Sequence, residues 1–418
     1  MEIIKVKGKK PLTGRVKISG AKNAALVVLA ATVLARGECI IDNVPRIQDV
    51  EILLNLLQSI GAEFEWRQEN TVAVLIPDNL KHQTPYDLSK KLRASNLLLG
   101  SIIGRLGYAE ISLPGGCAIG SRPMDLHLKG LQMLGFETQL EHGYIKGRAL
   151  SPRGNRIYLD FPSVGATENI MMAASVVPGS TTIENVAKEP EIVDLANFLN
   201  NMGARIRGAG TDVIKIEGVP LLRGTSYGVI PDRIEAGTYM TAACITGGEI
   251  TLENVIPTHV QPVVAKLREA GARIMEMDDE IRVSAPERIL PLDIKTMPYP
   301  GFPTDMQSQF MALLSLASGT SIIVENVFEN RLQVADELKR MGARIKVEGH
   351  TAVVEGVGRL CGTCVKANDL RAGAALLIAG LAAKGVTKVG NAHHIYRGYE
   401  NVLNKFSGLG ASVEALSQ

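Results

Sequence analysis

A cysteine sits in the loop Pro114-Gly-Gly-Cys-Ala-Ile-Gly-Ser-Arg-Pro-Met-Asp-Leu-His127, with two glycines ahead of it and Arg122 five residues behind. The glycines make the loop flexible, and a guanidinium beside a helix beginning near Pro123 lowers a thiol pKa. An exposed thiol of that kind serves as nucleophile or proton donor. Two readings of Cys117 stand: an activated thiol, or a cysteine in a mobile turn. His127 offers no thiol-protease arrangement, and on a helix it suits core or surface equally. A carboxylate, Asp305, precedes an apolar helix in Pro300-Gly-Phe-Pro-Thr-Asp-Met-Gln307. It reads as a general base or as a helix N-cap, and spacing alone favours the cap.

Other candidates share a register. Lys22-Asn23, Arg93, Thr167, Glu235, Asp305 and Arg371 stand at the starts of six apolar helices. Arg46, Arg122, Lys188, His259, Arg331 and Arg397 stand in the loops entering six amphipathic ones. Helix N-termini favour anions, and arginine adds a fork that fits carboxylates and phosphates. If two groups of three modules face each other, these residues line one cleft suited to a small, multiply anionic substrate; the alternative is a set of ordinary surface and capping residues. Cys361-Gly-Thr-Cys364 lacks a second pair and reads as structural, and His393-His394 lacks further ligands, so no metal is expected. No P-loop or Rossmann glycine pattern appears.

The elements that position these residues form a sixfold repeat. A β-rich run with an Asn turn (Ile41-Asp-Asn-Val44, Ile183-Glu-Asn-Val186, Leu252-Glu-Asn-Val255, Val324-Glu-Asn-Val327, Val389-Gly-Asn-Ala392) leads into a helix and a Gly-Ala strand. The marker glycines Gly61, Gly135, Gly203, Gly271, Gly342 and Gly410 are 68 to 74 residues apart. The second copy carries the Cys117 loop in place of the Asn turn. That period exceeds the ~20–50 residues of solenoid repeats and suits a small α/β module. Each module holds one helix that is apolar all round and so must be buried: Ala24–Ala35, Leu97–Ile103, Ile170–Val177, Tyr239–Ile245, Phe310–Leu316 and Ala372–Ala383. The second helix is amphipathic, as in Val260, Val263, Val264, Leu267 and Ala270, which form one stripe.

With 418 residues, the chain is too long for one ordinary core, so the six modules group into two. A net charge of +2 and 4% aromatic residues argue against nucleic acid as a partner. Five scattered cysteines suit reduced thiols, and no segment reaches the ~18 apolar residues of a membrane span. A cytoplasmic protein with no membrane partner is expected.

The loop Pro114 to His127 resembles the active-site loop of the enolpyruvyl transferase family, in its UDP-N-acetylglucosamine 1-carboxyvinyltransferase branch. The likeness spans the chain: Gly20-Ala-Lys-Asn23, Leu92-Arg-Ala-Ser95, Ser163-Val-Gly-Ala-Thr167, Phe302-Pro-Thr-Asp-Met-Gln307, Phe328-Glu-Asn-Arg331, Asp369-Leu-Arg371 and Arg397-Gly-Tyr-Glu400 match its motifs. The resemblance implies an α/β fold of two inside-out domains. Each has three repeated units, with buried helices inside and amphipathic helices plus sheets outside. It implies one domain of residues 1–20 plus 230–418 and another of 21–229. The substrates implied are phosphoenolpyruvate and UDP-N-acetylglucosamine, with no cofactor. Lys22, Arg122 and Arg397 would hold phosphoenolpyruvate, with Asn23 near them and Arg331 and Arg371 completing the cationic pocket. Asp305 would accept the proton of the sugar 3-hydroxyl, and Cys117 would protonate the enol carbon or assist product release. The nucleotide would rest on Arg93, the segment Arg122, Pro123, Met124, Asp125 and Leu126, on Ser163, Val164 and Gly165, and on Val327.

Two positions depart from the family pattern: Tyr396 stands where an Asp is frequent, and Phe161 where some members carry a lysine. Two further readings remain open. One is the sister transferase acting on shikimate 3-phosphate, which lacks the cysteine loop. The other is a non-catalytic paralogue that binds the UDP-sugar and regulates the pathway.

Overall fold

Alternating apolar helices and short strands assemble as six modules, each an inner helix, a strand, an outer helix and the strands that complete its sheet. A computed structural model describes residues 2–113, 119–120 and 123–417. The chain divides into two compact units: Met1–Ser19 with Ala118–Ser121 and Pro231–Gln418, and Gly20–Cys117 with Arg122–Ile230. Each unit has its own hydrophobic core. Among the described residues no helix is long and apolar enough to cross a membrane.

In the first unit the inner helices are Arg233–Thr246, Gln307–Leu314 and Leu370–Ala382. Every residue from Ile234 to Ile245 is buried, as the lack of a polar face requires. Amphipathic helices Gln261–Glu269, Val334–Arg340 and Val402–Gly408 bury only one stripe each. The module sheet is typified by Glu249–Glu253, which pairs antiparallel with Glu280–Ser284 and parallel with Thr13–Lys17, while Arg273–Glu276 closes the other edge. In the sixth module the strand Glu2–Lys7 runs between Val386–Gly390 and Ser412–Ser417, antiparallel to both.

The second unit repeats the plan with inner helices Lys22–Ala31, Leu98–Leu106 and Val164–Ala174, and outer helices Gln48–Ser59, Asp125–Met133 and Pro190–Asn201. Its inner helices touch backbone to backbone. A Cβ added to Gly100 would lie 2.3 Å from the Asn169 carbonyl oxygen, so only glycine fits there. The module that carries the cysteine loop has a three-stranded sheet, Tyr108–Ser112, Tyr144–Ala149 and Phe136–Glu141. Where the other modules gain a parallel strand, it has the single bridge Gln83–Glu110.

The sequence markers have physical causes. All six marker glycines have positive φ, between 88° and 110°, which other residues reach only at a cost. Asn43, Asn185, Asn254 and Asn391 adopt the left-handed conformation, at φ of 56° or 58°. Their side-chain amides donate to the carbonyls of Val229, Leu159, Ile18 and Ala367 beside the neighbouring strand. Asparagine tolerates that conformation and spends its amide on the turn.

The fifth module departs from this pattern. Asn326 keeps the side-chain bond, to the Thr296 carbonyl at 3.1 Å, but is not among the residues of positive φ. The backbone there skips one residue. After the strand-end residues, the next inter-strand N–H bond comes from Val44, Val186 and Val255 in three modules, but from Glu325 in the fifth. The recurring Asn predicts the same turn in the five copies that carry it; instead, in the fifth module, Glu325 occupies the place of a core valine.

Candidate active site

In the first unit the chemistry gathers around Asp305. It lies in the 3-10 turn Thr304–Met306 that leads into Gln307–Leu314, and no side chain caps that start. The N-cap expected from spacing is therefore absent, because the carboxylate is taken by arginines from later modules. Arg371 gives Nη2 at 2.8 Å and Nε at 3.2 Å to Oδ2, and Arg331 gives Nη2 at 2.8 Å to Oδ1. The arginine side chains are 4% and 3% exposed, that of Asp305 25%. Burial pushes the Asp305 carboxyl up, but the Arg371 and Arg331 guanidiniums outweigh it and hold the group well below the usual carboxylate range.

Capping sets the arginines in place. Asp369 Oδ1 accepts the N–H groups of Arg371 and Ala372 at 2.8 and 3.0 Å, starting the helix so that Arg371 occupies its first turn. The other end of its guanidinium, Nη1, donates to the Tyr399 hydroxyl at 3.3 Å, which also meets the Thr238 hydroxyl at 2.9 Å. Arg331 Nη1 donates to the Thr304 hydroxyl at 3.0 Å, while its buried Nε–H has no hydrogen-bond partner among the described residues. A buried guanidinium with an unspent donor suits an incoming anion.

The segment Arg397-Gly-Tyr-Glu400 follows the short helix His393–Tyr396. Its anchor is polar and buried: the Ser19 hydroxyl donates to Glu400 Oε2 at 2.6 Å, and Lys405 Nζ bonds Ser19 Oγ and Glu235 Oε1 at 2.6 and 2.7 Å. Tyr399 is thereby fixed against Arg371. Val327 is half-buried, its N–H spent on Glu325 Oε1 at 2.8 Å. Beside Arg331, the Asn330 N–H donates to the Ile119 carbonyl at 3.0 Å.

In the second unit Lys22 opens its inner helix, with its ammonium 2.8 Å from Asp49 Oδ2; Asp49 is buried on the outer helix Gln48–Ser59, and Asn23 is exposed. Arg93 begins the 3-10 turn Arg93–Leu97 and is half-buried. Ser163 caps the helix Val164–Ala174, accepting from the Ala166 N–H at 3.4 Å, which leaves Ser163, Val164 and Gly165 at a half-buried helix start. Pro123 and Asp125 are exposed, Leu126 is half-buried, and Met124 is buried with its sulfur 3.4 Å from Asn96 Nδ2. Cys117 and Arg122 lie outside the described residues.

His127 resolves as a core residue. Asn169 Oδ1 accepts the Gly100 N–H at 2.6 Å, so its amide nitrogen faces His127 Nδ1 at 2.9 Å and donates to it. That assignment leaves the proton on Nε2 of a neutral ring. Burial and then the nearby Arg93 charge press its pKa down to about 4. Gly165 packs on this ring, since a Cβ there would sit 3.0 Å from Cε1.

Thus the expected residues Asp305, Arg331 and Arg371 form one constellation in the first unit. Lys22 on one side and His127 with Gly165 on the other form separate ones in the second. Reading the sequence missed Asp49, Asn169, Tyr399, Thr304 as a partner, and Glu325. Thr304 lies inside a quoted motif and Glu325 inside the repeat, so both were visible; their burial was not.

The profile of the EPSP synthase (3-phosphoshikimate 1-carboxyvinyltransferase) family matches residues 6–406. The chain is 54% identical to UDP-N-acetylglucosamine 1-carboxyvinyltransferase 2 of Carboxydothermus hydrogenoformans, over 100% of both chains. It is 54% identical to UDP-N-acetylglucosamine 1-carboxyvinyltransferase 1 of Caldanaerobacter subterraneus subsp. tengcongensis, over 96% of this chain and 97% of that one. Among solved structures, the enolpyruvyl transferase NikO from Streptomyces tendae superposes with a TM-score of 0.89 at 26% identity, covering 100% of this chain and 99% of that one. An EPSP synthase from Acinetobacter baumannii matches all of both chains at a TM-score of 0.78 and 18% identity, a likeness of fold.

Proposed function

The chain belongs to the EPSP synthase family of enolpyruvyl transferases, and we propose that it transfers the enolpyruvyl group of phosphoenolpyruvate to the 3-hydroxyl of UDP-N-acetylglucosamine, the first committed step of peptidoglycan synthesis. The names of its relatives at 54% identity support that acceptor. The observation that carries the chemistry is Asp305 held between Arg331 and Arg371.

The sugar hydroxyl oxygen bonds to C2 of phosphoenolpyruvate while its proton passes to Asp305 and the enol carbon gains a proton from Cys117. The tetrahedral intermediate then loses phosphate and a proton to regenerate the enol ether. Charge decides when Asp305 works. With two guanidiniums on it the carboxylate binds protons weakly. An anionic substrate drawing on the same arginines weakens that hold and raises its proton affinity, so the base gains strength once phosphoenolpyruvate is bound. Arg331, Arg371, Lys22, Arg122 and Arg397 serve the phosphate and carboxylate, with Asn23 beside them. Arg93, Pro123 to Leu126, Ser163 to Gly165 and Val327 serve the nucleotide.

The test is phosphate release from phosphoenolpyruvate with either UDP-N-acetylglucosamine or shikimate 3-phosphate as acceptor. Release with the UDP-sugar alone is expected. Release only with shikimate 3-phosphate, or tight UDP-sugar binding without release, overturns the assignment.

A further inference from the structure

Glu325 is fully buried, at 0% exposure, on a turn where an apolar residue belongs. Its backbone N–H bonds the His350 carbonyl, as those of Val44, Val186, Val255 and Ala392 bond Asn70, Asp212, Asp279 and Glu2. All four counterparts are buried and apolar. The acids that precede Asn in other modules turn outward instead: Glu184 pairs with Arg156, Glu253 with Arg15, and Asp42 with Thr71. The molecule therefore holds its own controls, and the fold does not require a carboxyl at this place. Burying one costs several kcal/mol of lost hydration unless its oxygens are fully bonded. A local rule broken at such a cost points to function.

The bonds of Glu325 show what that function is. Oε1 accepts from the Thr296 hydroxyl at 2.9 Å and from the N–H groups of Val327 and Phe328 at 2.8 and 3.2 Å. Oε2 accepts from the Thr304 hydroxyl at 2.9 Å. That hydroxyl, its proton committed to Glu325, turns a lone pair to Arg331 Nη1 at 3.0 Å. Arg331 Nη2 then holds Asp305. The Phe328 ring, whose backbone Glu325 anchors, lies with its centroid 5.3 Å from the Arg331 guanidinium carbon. One carboxyl thus orients the hydroxyl, the aromatic ring and the backbone around the arginine on the base.

We propose that Glu325 is a positioning residue for the transfer reaction, fixing Arg331 against Asp305 through the Thr304 hydroxyl. The inference rests on the reading of Asp305 as the base.

The test is steady-state kinetics of the full chain with phosphoenolpyruvate and UDP-N-acetylglucosamine for Thr304→Val, Thr304→Ser, Glu325→Gln and the double variant Thr304→Val/Glu325→Gln. Thr304→Val keeps the volume and removes the relay. It should lower kcat about 10- to 100-fold, the scale of a misplaced catalytic group, with KM for the UDP-sugar within about twofold. Thr304→Ser should recover most of that loss. The double variant should lose no more than the worse single, because both cut one path. A Thr304→Val enzyme with unchanged kcat, a loss that serine fails to restore, or additive losses would each overturn the proposal while leaving the assigned reaction intact. Absence of turnover in the unaltered protein would instead overturn the reading of the reaction, and this inference with it.

Discussion

Arg371 places two donors on one oxygen of Asp305, Nη2 at 2.8 Å and Nε at 3.2 Å from Oδ2. The other oxygen is left to Arg331. Each carboxylate oxygen therefore has its own cation, and the residue proposed as the base is held in its weakest form until an anion competes for those cations. The same arrangement accounts for the absent helix cap: two full charges outbid the partial charge of a helix N-terminus.

Replacing Asp305 with alanine should leave UDP-N-acetylglucosamine binding slightly weakened and slow the chemistry by ~10²–10⁴, the usual scale for loss of a general base. Calorimetry and single-turnover rates check the two halves. Complete loss of sugar-nucleotide binding would remove the support for a base.

Cys117→Ala should abolish steady-state turnover and block alkylation by fosfomycin, an epoxide that an activated thiol would open. Mass spectrometry of the treated protein reads the adduct directly. Normal turnover in the variant would take Cys117 out of the mechanism.

His127 gives stability a pH dependence. Its folded pKa of about 4 lies below the ordinary histidine value of 6.5, so the unfolded chain binds the proton more readily. Stability from this group is complete above about pH 6.5 and falls as pH drops towards 4. The shift corresponds to about 3 kcal/mol across that window. Buried Asp194, with a pKa raised to about 6 by burial, works in the opposite direction, so the comparison must be between variants. Urea unfolding at several pH values should show His127→Gln lacking this slope. Parallel curves for the two proteins would contradict the neutral, buried ring.

The two kinds of Asn turn should differ in their tolerance of alanine. Asn254→Ala loses a 2.7 Å bond and forces alanine into a left-handed conformation, at a cost of about 2 kcal/mol. Asn326→Ala loses only its 3.1 Å bond, about 1 kcal/mol. Denaturant midpoints measure the pair, and equal losses would deny the skipped residue in the fifth module.

Much of this protein follows from local pattern. Helices without a polar face must be buried, six positive-φ glycines recur where the chain must turn, and the motifs around Cys117, Asp305 and Arg371 carry the family. These features depend on residues near each other in sequence, where spacing and backbone preference speak directly. Tertiary structure alone decided which charges meet. Spacing made Asp305 a cap, yet its partners include Arg371, 66 residues away. Glu325 shares its Glu-Asn pair with Glu253, but one turns inward and the other to an arginine at the surface. A side chain's direction depends on backbone register and on groups brought together from distant modules, and neither is written in its immediate neighbours.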